Sequence, residues 1–120
     1  MKSIRVGKMV EELRLEILAG HEGLNRQIDT SALSRPGLEL AGYVDHYPAE
    51  RVQVLGLKEL GFFQSLSPLQ KIESLERLFL EETPCFVIAH GQEAPGELLE
   101  MAEKRQIPVL RSPLSTTAII

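Results

Sequence analysis

The sequence predicts an α/β domain, built on a small, mostly parallel sheet with helices on both faces. The main indication is the uninterrupted apolar segment Cys85–Ala89, which is typical of a strand buried on both sides. A helical pattern over Pro95–Arg105 and a short apolar segment at Ile107–Arg111 follow it. Strand, helix and strand in this order predict a right-handed parallel crossover. A length of 120 residues fits one domain, covering residues 1–120.

The N-terminal third is predicted to alternate short strands with one helix. Apolar residues recur at helical spacing over Gly7–Arg14. Extended segments are expected on both sides of this helix, at positions 4–6 and at Leu15–Leu18. A further strand is expected over Arg26–Thr30, with Ile28 facing the core.

The middle of the chain is interrupted at Pro36, which biases Arg35 away from helical backbone angles. Because proline also suits the first turn of a helix, a short helix is expected at Leu38–Gly42. The segment Val52–Leu55 alternates and is followed by glycine, which predicts a strand. A helix with one apolar side is predicted over Lys58–Leu66.

The helix predicted over Ser67–Leu80 has the clearest start signal in the chain. Ser67 can cap it, Pro68 suits its first position, and Gln70 completes a capping box. Apolar residues then recur every three or four positions, so one face should be buried. The residues of this face that are expected in the core are Leu69, Ile72 and Leu75.

Composition and charge argue against several classes of partner. The net charge of −4 is opposite to the basic character of a general nucleic-acid binder. No apolar stretch approaches the roughly 20 residues that a membrane helix needs, and no apolar region follows Lys2 as a signal peptide requires. We therefore expect neither nucleic acid nor a membrane as a partner. The single cysteine cannot form an internal disulfide, and a cytoplasmic location is the default expectation.

The end of the chain, Thr116–Ile120, is where an apolar pattern starts. Natural termini usually end in polar, poorly ordered residues. This ending predicts that the sequence belongs to a longer protein.

The sequence lacks a complete set of the residues that catalysis or metal binding would need. Gly37 and Gly42 have the spacing of the two glycines of a phosphate loop, but Tyr43 and the residue after it stand where lysine and a hydroxyl are required. The histidines lack the spacing of a zinc site. Cys85 lies within an apolar segment, so we expect a buried, unreactive thiol. No catalytic residue, metal or cofactor is expected in this chain.

Two other stretches, Ser34–Tyr43 and Pro48–Gly56, concentrate charge, proline and glycine. One interpretation is an anion or partner site on the surface, because arginines presented beside a turn and a strand end can bind anionic groups. The candidate residues of this site are Ser34, Arg35, Gly37 and Arg51.

The alternative interpretation of these stretches is structural. They would then be a turn and the start of a strand, since single arginines are usually surface charges. An arginine could also brace the loop through a carboxylate such as Glu39 or Glu50. The residues alone leave these alternatives open.

The segment Ser-Arg-Pro-Gly-Leu-Glu-Leu-Ala-Gly-Tyr at Ser34–Tyr43 resembles a signature of the N-terminal domain of HPr kinase/phosphorylases. Glu50–Gly56 resembles the next block of that family. Further matches follow in order at Thr83–Cys85, Pro95–Leu99 and 107–117. The resemblance covers essentially the whole chain.

This resemblance implies a parent enzyme that uses ATP and magnesium to phosphorylate a serine of HPr, the phosphocarrier of the sugar phosphotransferase system. The family's enzyme also removes that phosphate, forms a hexamer and controls carbon catabolite regulation. Its phosphate loop would lie in a C-terminal kinase domain beyond Ile120. The resemblance also implies a fold similar to the N-terminal domains of Mur ligases, in which a loop like Ser34–Gly37 helps to hold a uridine nucleotide.

Two functions remain open. The first is a non-catalytic regulatory or assembly domain that contacts its own kinase domain. The second is a module that senses a nucleotide or a sugar phosphate through Arg35 and Arg51. A stand-alone enzyme is disfavoured, because neither a phosphate loop nor a convergent acid and base is present.

Overall fold

The computed structural model describes residues 3–30, 32–43 and 45–114, which fold around one sheet. The strands are β1 (Ile4–Arg5), β2 (Glu16–Ala19), β3 (Gln27–Ile28), β4 (Leu33–Ser34), β5 (Val52–Leu55), β6 (Phe86–Ile88) and β7 (Val109–Arg111). The helices are α1 (Val6–Leu13), α2 (Gly37–Leu40), α3 (Leu57–Gln64), α4 (Pro68–Leu78) and α5 (Gly96–Arg105). The predicted segment Thr116–Ile120 lies outside the described residues.

The main sheet has five strands in the order β2-β7-β6-β5-β4. Strands β4 to β7 are parallel, and β2 is antiparallel to β7. Strands β1 and β3 form a separate antiparallel ribbon. The predicted α/β class and the parallel crossover from β6 to β7 are confirmed. Strand β4 was not predicted, because a strand of two residues is too short to show an alternation of apolar and polar residues.

The four parallel strands occur in the sheet in their chain order. Right-handed crossovers between them therefore place the connecting helices on one face, which we call the helical face. Its core contains residues from α2, α3, α4 and α5. Within it the rings of Phe79 and Phe86 stack with centroids 4.3 Å apart.

Among the described residues, the other face of the sheet, which we call the open face, carries α1 and the β1–β3 ribbon. Its buried residues are Val6, Ile28, Val52, Cys85, Val87 and Leu110. The alternation along β6 shows the division between the two cores, since Phe86 and Ile88 belong to the helical face and Val87 to the open face. The prediction that Ile28 points inward is confirmed, with 4% of the residue exposed.

The start of α4 follows the predicted capping box. The Ser67 hydroxyl accepts a hydrogen bond from the Gln70 backbone at 3.2 Å, and the Gln70 side chain accepts one from the Ser67 backbone at 3.0 Å. The predicted core face of this helix is partly wrong. Leu75 is buried, but Leu69 and Ile72 are 68% and 48% exposed.

The physical reason lies in the helical spacing of α4. Its buried residues Ser74 and Leu75 lie four and three positions before the buried Leu78, so the three share one side of the helix. Leu69 and Ile72 form a second row, which points away from the sheet. The apolar pattern of the sequence contains both rows and does not indicate which one packs.

Arg26 connects the ribbon to the far ends of α4 and α5, a role that the sequence analysis did not identify. Its Nε donates to the Gln106 carbonyl at 2.9 Å, and its Nη1 donates to the carbonyls of Glu81 and Thr83 at 2.7 and 3.2 Å. A weaker bond of 3.4 Å joins Nη2 to the Arg105 carbonyl. One guanidinium thus satisfies carbonyls at the C-terminal end of α5 and in the loop that follows α4.

No helix in the described ranges is long and apolar enough to cross a membrane.

Candidate functional site

The candidate loop begins where β4 ends. Ser34 is the last residue of β4 and is buried, whereas Arg35 and Gly37 are exposed. Pro36 caps α2, and the Gly37 backbone donates to the Arg35 carbonyl at 2.9 Å. The residues with phosphate-loop spacing therefore form helix α2 and the turn after it, without a cradle for phosphate.

Arg35 forms an ion pair with Glu59 in the first turn of α3. Its Nη2 lies 3.1 and 3.2 Å from the two carboxylate oxygens. The Glu59 side chain is only 8% exposed, while that of Arg35 is 42% exposed. The same carboxylate accepts a hydrogen bond of 2.6 Å from the Gly56 backbone, which caps α3.

The structural alternative named Glu39 and Glu50 as examples of a carboxylate that could brace the loop, and the structure pairs Arg35 with a different carboxylate. The partner is Glu59, because β4 runs parallel to β5 and its end lies beside the β5–α3 turn. This contact between distant parts of the chain follows from strand pairing, which local sequence patterns do not report.

Arg51 lies at the other end of the same strand pair. Leu33 pairs with Val52, so Arg51 precedes the amino end of β5, whereas Arg35 follows the carboxyl end of β4. Along the strand direction Arg35 and Arg51 are therefore three residues apart, which is about 10 Å at the usual rise per residue. The structure does not bring the two arginines to the same end of the sheet, and a ligand role for Ser34, Arg35, Gly37 and Arg51 stays a prediction.

Gln53 supports the segment before β5 and was missed by sequence reasoning. Its side chain is fully buried, and its Nε2 donates to the carbonyls of Pro48 and Arg51 at 3.0 and 2.9 Å. A glutamine in an otherwise apolar strand was the available signal. The Arg51 backbone donates to the Pro48 carbonyl at 3.1 Å. The Arg51 side chain forms no hydrogen bond or ion pair with any other described residue.

Sheet topology also bears on where a ligand could bind. Open α/β sheets bind ligands at the carboxyl ends of strands, where the winding direction reverses. Here the parallel strands follow one another in chain order, so the described sheet has no such reversal. Arg35 is the candidate arginine that lies at the carboxyl edge.

Burial shifts the pKa values of two side chains in the described part of the chain. Cys85 is fully buried, as expected, and burial raises the pKa of its thiol to about 12. Burial also raises the pKa of Tyr47, whose hydroxyl donates to the Leu78 carbonyl at 2.8 Å. Both groups stay protonated near neutral pH. Among the described residues no three histidine, cysteine or acidic side chains are grouped to hold a metal.

These features define a class: an α/β domain built on a five-stranded, mostly parallel sheet. The family described as HPr Serine kinase N terminus matches residues 4–120. The chain belongs to this family.

Two curated relatives of this chain are both named HPr kinase/phosphorylase. The chain is 45% identical to an HPr kinase/phosphorylase of Bacillus mycoides (strain KBAB4) and 46% identical to one of Bacillus cereus (strain G9842). Each alignment covers 99% of this chain and 38% of the relative. The chain therefore spans well under half the length of these relatives.

A solved structure shows a similar fold. It contains the CBS and DRTGG domains of the regulatory region of Clostridium perfringens pyrophosphatase, complexed with the activator diadenosine tetraphosphate. The TM-score is 0.60 at 13% identity, and the match covers 95% of this chain and 43% of the other. At this identity the likeness concerns the fold alone.

Proposed function

We propose that this chain is the non-catalytic N-terminal regulatory or assembly domain of a bifunctional HPr serine kinase/phosphorylase. The observation that carries the proposal is family membership across residues 4–120. Two facts support the assignment of catalysis to another part of the polypeptide. The chain covers only 38% of its relatives, and its sequence lacks a phosphate loop.

The full-length parent would use ATP and magnesium to phosphorylate a serine of HPr and would also remove that phosphate. It would thereby control carbon catabolite regulation in the cytoplasm. The partners of this domain would be its own kinase domain and, through the parent, HPr and the other subunits of a hexamer. The acidic net charge of −4 agrees with a protein partner and not with nucleic acid.

A deletion experiment tests this assignment. The full-length parent and a version lacking residues 1–120 are compared for phosphorylation of HPr, for its reversal and for mass by sedimentation. We expect both reactions to persist after deletion, because positioning and charge stabilisation of the phosphoryl group reside elsewhere. Assembly or the response to metabolites should change. Loss of all phosphoryl transfer from a folded deletion protein would contradict the assignment.

A second function is favoured by one observation. Among the described residues only Nη2 of Arg35 is engaged, so the rest of this half-exposed guanidinium could bind the anion of a nucleotide or a sugar phosphate. Thermal-shift measurements with nucleotides and sugar phosphates test this sensing role. A ligand at a hundred times its Kd adds about 2.7 kcal/mol to stability. R35A should abolish such a shift, whereas no shift with any of these ligands would count against sensing.

A further inference from the structure

The open face carries an apolar groove beside α1. Its cavity has a volume of about 110 Å³. The residues that form most of its wall are Met9, Leu13, Leu33, Val52, Val87 and Leu114. A wall of this composition suits an apolar side chain and offers little to a phosphate or a sugar.

The groove exists because the open face is thinly covered. Helix α1 has eight residues and buries Val6, while the connecting helices of the parallel strands all pack on the helical face. At the rim of the groove, Leu13 and Leu114 are 56% and 51% exposed. Large apolar side chains around a cavity are typical of a surface that is covered by a partner.

The chain after β7 is held against this groove. The His90 backbone donates to the Leu114 carbonyl, and the Gly91 backbone donates to the Ser112 carbonyl, both at 2.8 Å. The Leu114 backbone donates to the Ser112 hydroxyl at 3.1 Å. These bonds hold Ser112 and Leu114 beside the segment that follows β6, and both residues form part of the wall.

We infer that the groove is the docking surface for an apolar stretch of the polypeptide that follows this domain in full-length relatives. This inference rests on the proposed function, in which a kinase domain follows. The relatives are long enough to supply the occupant, since this chain covers 38% of them. A segment tethered next to Leu114 also has a high effective concentration at the groove, which a second copy of the chain lacks.

Thiol labelling in the full-length parent tests the inference. L13C places a thiol at the rim of the groove, and L69C places one on the exposed row of α4, where Leu69 is 68% exposed. The natural Cys85 of this chain is buried and does not compete. The alkylation rate of each introduced thiol by a maleimide is measured by peptide mass spectrometry, in residues 1–120 alone and in the full-length parent.

In residues 1–120 alone we expect the two thiols to react at similar rates. In the full-length parent the L13C thiol should react at least about ten times more slowly, because an occupied groove denies access to the reagent. The L69C thiol should keep its rate. L114C, also at the rim, should repeat the L13C result and provides a second variant.

Equal L13C rates in the short and full-length proteins would overturn the inference, and so would equal slowing of L13C and L69C. If the L13C rate fell with rising concentration of residues 1–120 alone, the occupant would be a second copy and the inference would be wrong. HPr phosphorylation is measured on the same full-length sample. A protected L13C thiol in a protein without that activity would remove the proposed function and leave the docking supported.

Discussion

The two faces of the sheet differ in how they are covered. The helical face receives four helices and the stacked pair Phe79 and Phe86, whereas the open face receives α1 and a two-stranded ribbon. Chain order explains the difference, because parallel strands laid down in one direction send every right-handed crossover to the same side. We therefore expect the helical face to contribute most of the stability, whereas the open face is thinly covered among the described residues and contains the proposed docking groove.

The largest effect should come from substitutions along β6, which presents Phe86 and Ile88 to the helical face and Val87 to the open face. F86A removes a fully buried ring from the helical face and should cost about 3–5 kcal/mol of unfolding free energy. V87A removes two carbons from the open face and should cost about 2 kcal/mol of unfolding free energy. This is the transfer free energy of two buried carbons plus a small cost for the cavity they leave. Urea denaturation measures both. A cost for V87A equal to that for F86A would show that the two faces contribute alike.

The next effect concerns Arg26, which joins the open-face ribbon to the ends of α4 and α5. R26A should cost about 2–3 kcal/mol, because it leaves several part-buried carbonyls without their charged donor. R26K serves as the matched control. Lysine keeps the positive charge but lacks the planar guanidinium with its several N–H donors, so R26K should recover less than half of the unfolding free energy that R26A loses. A loss below about 0.5 kcal/mol in R26A would mean that water replaces these bonds without cost.

The smallest effects are expected at the two opposite ends of the β4–β5 pair, at Arg35 and Arg51. R35A should cost no more than about 1 kcal/mol, because the ion pair is half-exposed and Glu59 keeps its bond to the Gly56 backbone. R51A should change stability by less than about 0.5 kcal/mol, as for a surface residue. A loss of about 3–5 kcal/mol in R35A would instead show a structural role in holding the β4–α2 loop.

Much of this fold could be predicted from local features of the sequence. The strand β6, helix α5 and the capping box of α4 were predictable, because local periodicity and capping residues specify them. The exposure of Leu69 and Ile72 was not predictable, because two apolar rows on α4 compete for the sheet. Strand β4 was also missed, since only its pairing with β5 defines it.

The candidate site was less predictable than the fold. Its position beside a chain break was visible at Pro36, and the exposure of Arg35 follows from that break. Its partner Glu59 lies 24 positions away and is brought close by the parallel register. The separation of Arg35 from Arg51 depends on the same register, which residue patterns do not encode.

The most direct test of the central claim is to incubate purified residues 1–120 with ATP, magnesium and HPr and to measure phosphoserine by mass spectrometry. The account predicts none, because the sequence contains no phosphate-loop motif to hold ATP. The full-length parent under the same conditions is the positive control and should phosphorylate HPr. Phosphoserine formed on HPr by residues 1–120 alone would contradict the account.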